Sequence, residues 1–146
     1  MNEDLFFLGI KGIIRNSKGE VLLLKVNAQK FNQENKLEYW DIPGGRIQVS
    51  DTVENTLKRE IEEETGVKNI SNIIPFSMVI SNIRIPMENK SFGLILSAYL
   101  CNIDEKEEIK ISDEHTEYAW FEPTKASELL KIKYPEEFVR KIAELK

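Results

Sequence analysis

Residues 45–67 read GRIQVSDTVENTLKREIEEETGV. The second half of this stretch predicts a helix over 52–65. Val53, Leu57 and Ile61 recur every four residues and lay an apolar stripe along one side. Asp51, with Glu54 three residues later, has the spacing of a capping box with Asp in place of Ser or Thr, and Ser50 is the competing cap. Gly66 stands where a left-handed residue would end the helix. At about 100° per residue, Glu60, Glu63 and Glu64 fall within about 100° of one another, beside the apolar stripe and not opposite it. Glu62 points away.

Three carboxylates this close repel one another. Glu60 and Glu64 form a like-charged pair four residues apart, which costs a few tenths of a kcal/mol even in the open and more when partly buried. A charge run on a helix is ordinarily a solvated face, and Arg59 with Glu62 or Glu63 would then be surface pairing. A divalent cation would remove the repulsion, and oxygen-only ligands select a hard ion, Mg²⁺ or Mn²⁺. A water made acidic by such an ion is a nucleophile for phosphorus.

Outward from this helix the chain reads as mixed α and β. Residues 6–14 and 20–26 predict two strands joined at the Asn16-Ser17-Lys18-Gly19 turn as a hairpin. Residues 27–38 are polar and without period, an exposed loop, and 39–42 are a short extended piece entering the Pro43-Gly44-Gly45 turn. Beyond the helix, 70–85 and 92–103 predict strands separated by a connection at 86–90. Residues 104–114 form a charged loop and 118–121 a short strand. Pro123 opens a helix over 124–130, and Pro135 opens a last one over 136–145. With no repeat or linker, residues 1–146 read as one domain.

Composition excludes several classes. With 41% apolar and 31% charged residues the chain is that of a soluble globular protein. No run of 18 apolar residues is present, and the acidic start, Met1-Asn2-Glu3-Asp4, lacks the basic lead of a signal peptide, so the cytoplasm is the expected compartment. One Cys and one His cannot build a Cys₄ or Cys₂His₂ zinc site. A net charge of −5 without a Lys/Arg stripe argues against a nucleic-acid or membrane surface. An acidic partner would need a cation in between.

Residues 45–67 resemble the Nudix box: Gly, five residues, Glu, seven residues, then Arg-Glu-apolar-x-Glu-Glu-x-Gly-apolar. The matching residues are Gly45, Arg59, Glu60, Ile61, Glu63, Glu64, Gly66 and Val67, and Asp51 replaces the first Glu. The lead-in Trp40-Asp41-Ile42-Pro43-Gly44-Gly45 and the stretch Glu114-His115-Thr116-Glu117-Tyr118-Ala119-Trp120 also resemble the family's. The chain is thus similar to MutT-like Nudix hydrolases. The resemblance implies an α/β fold, an α/β/α sandwich with a mixed β-sheet and a catalytic loop–helix–loop. It implies Mg²⁺- or Mn²⁺-dependent hydrolysis of a pyrophosphate bond in a nucleoside diphosphate linked to another group, by metal-activated water. The alternative is a nucleotide-binding regulatory domain of the same fold without turnover.

By the same resemblance, the Gly45 carbonyl, Glu60, Glu63 and Glu64 would bind metal. Glu60, Arg59 and Glu114 would carry catalysis, Arg59 by orienting the carboxylates, with Glu117 as the other candidate acid. Asp51 would support the loop–helix–loop. Gln48 and Ser50, where relatives often carry Glu and Gly, would alter metal number or affinity. His115, the only histidine, is more readily a hydrogen-bonded structural residue than a proton carrier. Trp40 and Arg84 are the substrate-binding candidates. Phe7, Tyr39 and Phe76 are further aromatics and Lys11 and Lys25 further cations, while Trp120 and Phe92 fit core packing. Specificity is expected in 27–38 and 86–90. The partner is a small nucleotide, with no membrane or stable nucleic-acid binding expected and a homodimer open.

Overall fold

The computed structural model describes residues 2–28, 38–104 and 106–146; most of the polar loop expected over 27–38 lies outside them. The strands are β1 (Phe6–Arg15), β2 (Val21–Val26), β3 (Trp40–Asp41), β4 (Gly44–Arg46), β5 (Ile70–Ile80), β6 (Ile85–Met87), β7 (Lys90–Ile103) and β8 (His115–Phe121). The helices are α1 (Val53–Thr65), α2 (Pro123–Leu129) and α3 (Glu136–Ala143). The sheet is mixed, in the order β3-β2-β1-β7-β5, with β4 on β1 and β8 on β2.

Strand periodicity explains the layers. Successive side chains point to opposite faces. Along β2, Val21 and Leu23 enter one core with Ala126, Leu130, Tyr134, Phe138 and Ile142 from the α2–α3 side. Leu22 and Leu24 enter a second core with Leu57 and Ile61 of α1. In β1, Ile13 joins the first core, and Ile10 and Ile14 the second. Helices therefore cover both faces, as the unbroken apolar runs of the two strands require.

Several boundaries differ from the sequence reading. β1 meets β2 only at Arg15↔Val21; its long partner is β7, parallel from Phe6↔Gly93 to Arg15↔Asn102. The strand expected over 70–85 stops at Ile80, because Ser81 and Asn82 turn to the loop before α3. There Ser81 Oγ and Asn82 N donate to the Lys133 carbonyl at 2.8 and 2.9 Å. β6 and β7 close a tighter turn than expected, with Met87 facing Lys90 across Glu88-Asn89. β8 begins three residues early, at His115.

Helix α1 is capped by Thr52, whose side chain accepts from Asn55 N at 3.1 Å, and not by Asp51 or Ser50. Gly66 closes it at φ 77°, accepting the left-handed position at no Cβ cost. Leu57 and Ile61 are buried as the stripe requires, whereas Val53, on the first turn, is 37% exposed. Ser50 takes φ 66°, a left-handed conformation that glycine would adopt more cheaply.

Candidate active site

The N-terminus of α1, β4 and the turn between them bring the box residues against β1. An open cavity of about 640 Å³ lies there, lined among others by Gly44, Gly45, Arg46, Glu60, Glu64 and Glu114. A Cβ on Gly45 would stand 2.4 Å from the Glu60 carboxyl carbon, so only glycine lets the backbone and this acid approach so closely. Glu64, 6% exposed, accepts from Gly44 N at 2.7 Å. Arg59 Nη2 lies 3.3 Å from Glu60 Oε1, and its Nη1 donates to Asp51 Oδ2.

Asp51 is thus the brace of the turn. Its Oδ1 accepts from Thr52 N at 2.9 Å, and its Oδ2 from Thr56 Oγ1 at 3.1 Å as well as from Arg59. The Thr52 amide, with Arg59 and Thr56, holds its carboxyl below the usual range against desolvation.

Desolvation raises Glu60 first, against the hydrogen bond from Arg59 and with Glu63 and Glu114 adding repulsion. Glu64 is pushed up to about 8, again by burial, which outweighs Lys11 and the Gly44 amide. Glu64 makes no ion pair among the described residues. Glu64, Glu114 and His115 each bring a ligand atom within 4.8 Å of the other two.

Placement departs from the helical projection at Glu63. Its side chain is 60% exposed, turned along Arg59 with Nε–Oε1 at 3.8 Å, and is not a lining residue of the cavity. One helical face is too coarse a description: the α1 axis points Glu60 and Glu64 inward and leaves Glu63 on the rim. Of the two candidate acids, Glu114, in the turn just before β8, lines the cavity; Glu117, in β8, is exposed beside Lys25.

Neither substrate-binding candidate reaches the cavity. Trp40 packs edge-on against Phe121, ring centroids 5.2 Å apart, as part of the first core. Arg84 is held by Asp4, at 2.7 and 3.1 Å, and by Ser91. Lys25 lies over the Trp40 ring. Phe7 and Tyr39 line the cavity, Phe76 and Trp120 are packed against the two cores, and Phe92 meets Phe7 at 5.3 Å. Met87, from the connection expected to carry specificity, is also a lining residue.

Behind Glu64 sits a charged cluster that the sequence reading did not assemble. Asp41, 4% exposed, accepts on Oδ2 from Lys11 Nζ at 3.2 Å and Lys133 Nζ at 2.6 Å. Its Oδ1 accepts from Tyr134 OH at 2.6 Å and Ile42 N at 2.8 Å. Burial opposes its ionisation, but the two lysines and Tyr134 hold the carboxyl well below the usual range. The available signal was Lys11 itself, a charge in the middle of an otherwise buried strand, which demands a buried partner.

A mixed sheet between helix layers, with a braced glycine turn bringing helix carboxylates to a cavity, defines the class as an α/β sandwich with an acidic loop–helix site. A NUDIX domain model matches residues 6–142, and the chain belongs to that family. It is 39% identical over 56 residues to an 8-oxo-dGTP diphosphatase of Escherichia coli, covering 38% of this chain and 40% of that protein. It is 32% identical over 89 residues to the nucleoside triphosphatase NudI of Salmonella typhimurium, covering 58% of this chain and 62% of that protein. The chain thus spans less than two thirds of the length of these curated relatives. A MutT protein from Methanosarcina mazei superposes with a TM-score of 0.62 at 24% identity, over 97% of this chain and 94% of the other, which establishes the shared fold. No helix among the described residues is long and apolar enough to cross a membrane.

Proposed function

We propose that this chain hydrolyses a pyrophosphate bond in a nucleoside diphosphate joined to a second group, nucleoside triphosphates included, with Mg²⁺ or Mn²⁺. The observation that carries this reading is the pair Glu60 and Glu64, one turn apart on α1, both lining one cavity and both desolvated there. The donor set of Glu60, Glu64, Glu114 and the Gly45 carbonyl is all oxygen and suits a hard cation. When bound, such an ion supplies positive charge to the phosphates and acidity to the attacking water. The relatives named as a diphosphatase and a nucleoside triphosphatase support the same substrate class.

The chain's own residues then divide the work. Glu64, fixed by the Gly44 amide, and Glu60, oriented by Arg59, would hold the cation with the Gly45 carbonyl, and Glu63, on the rim, would be a further donor. Glu60 and Glu114 both line the cavity and would be the candidates to accept the proton of the attacking water. Arg46, whose guanidinium lies 4.5 Å over the Phe7 ring, is placed to meet phosphate oxygens. The apolar residues Ile85, Met87, Leu94 and Leu96 offer a surface for the base.

A panel of nucleotides incubated with Mg²⁺, with both products identified, tests the reading. Release of a nucleoside monophosphate and a second phosphate-bearing product supports it. Nucleotide binding without turnover under Mg²⁺ and Mn²⁺ would overturn it in favour of a regulatory domain.

A further inference from the structure

His115 opens β8 at an irregularity in the sheet, where the register shifts between Lys25 and Val26. Such shifts re-aim a side chain. The turn before it is pinned from the end of β2: Asn27 N donates to the Glu114 carbonyl at 2.9 Å and Asn27 Nδ2 to the Asp113 carbonyl at 3.0 Å. The ring is only 8% exposed, yet its Nδ1 has no hydrogen-bond partner among the described residues. That corrects the sequence expectation of a hydrogen-bonded structural histidine. A buried polar atom left unmatched is destabilising, so the ring calls for a partner that the described residues do not provide.

We propose that His115 joins Glu64 and Glu114 in a mixed nitrogen–oxygen site for a divalent transition ion of the Mn²⁺ class. The inference rests on the reading that this cavity works with a divalent cation, and adds to it a ligand outside the box. Three ligand atoms within 4.8 Å of one another are close to the span that one ion allows, since atoms about 2.1–2.2 Å from a common centre lie at most about 4.3 Å apart. Glu64 spends Oε1 on the Gly44 amide and keeps Oε2 for a ligand role. Lys11 and Lys133, the nearby cations, are both engaged by Asp41 Oδ2, which tempers their repulsion of an ion. An imidazole donor favours transition ions over Mg²⁺, and among them Mn²⁺ is the one that also suits the carboxylate oxygens of Glu64 and Glu114.

Because the chain has one histidine, tag-free protein labelled with ¹⁵N-histidine isolates this residue. Electron-spin-echo modulation of bound Mn²⁺ is expected to show one directly coordinated imidazole nitrogen that changes from the ¹⁴N to the ¹⁵N pattern with the label. In His115→Gln, Mn²⁺ affinity is expected to fall at least tenfold, on the order of the loss seen even for outer partners of metal ligands, while Mg²⁺ affinity falls less. Bound Mn²⁺ without nitrogen coupling, or equal loss of both ions in the variant, would overturn the His115 assignment even with Mg²⁺-dependent hydrolysis intact. Failure to bind Mn²⁺ together with no hydrolysis under any divalent ion would overturn both this inference and the hydrolase reading.

Discussion

Asp41 and Glu64 are two buried carboxylates beside the same cavity, 4% and 6% exposed, and they are treated oppositely. Asp41 is matched from inside by two lysines, a tyrosine hydroxyl and a backbone amide. Glu64 receives one amide. The fold thus completes one acid itself and leaves the other to be completed from outside. Burial alone does not separate a structural charge from a functional one; the local balance of partners does.

The largest effect should come from breaking the completed half. Asp41→Ala leaves Lys11 and Lys133 buried without their shared carboxylate, and is expected to cost about 3–5 kcal/mol in chemical denaturation. Glu64→Gln is expected to lose on the order of 10²-fold in kcat/KM for the nucleotide that the panel identifies, with little loss of stability in EDTA. A Glu64→Gln protein that turns over normally would remove Glu64 from the site.

The pH dependence sharpens the contrast, since the two acids carry opposite signs. Glu64 has a folded pKa of about 8 against an ordinary 4.5. Its contribution is full below the ordinary value and is lost as pH rises toward 8, by up to about 1.4 kcal/mol per pH unit. Asp41 is lowered, so its contribution is present above the ordinary 3.8 and lost as pH falls below it. Melting curves of metal-free protein should therefore show a decline from pH 5 to 8 that Glu64→Gln flattens. The smallest effect is expected at Arg84: its pair with Asp4 is exposed, so Arg84→Ala should cost less than about 1 kcal/mol and leave KM unchanged.

The helix, its glycine stop and the inward acids Glu60 and Glu64 were legible because they depend on local spacing. The α/β/α layering came from the family resemblance, and the apolar runs of β1 and β2 accord with it. Glu63 was misplaced because a helical wheel does not say how the helix tilts against the sheet. Trp40 and Arg84 lie away from the cavity lining because each has a partner that only tertiary structure reveals, here Phe121 and Asp4. The cluster on Asp41 joins residues from β1, β3 and the loop before α3, with Asp41 and Tyr134 93 positions apart. No local pattern signals such a meeting, and the parallel pairing of β1 with β7 was missed for the same reason.

The most direct test of an acid left for an outside cation is the Mg²⁺-induced shift in melting temperature at pH 8, measured for the unaltered protein and for Glu64→Gln. A clear upward shift in the former that disappears in the latter is the expected result. An equal shift in both proteins, or none in either, would contradict the account.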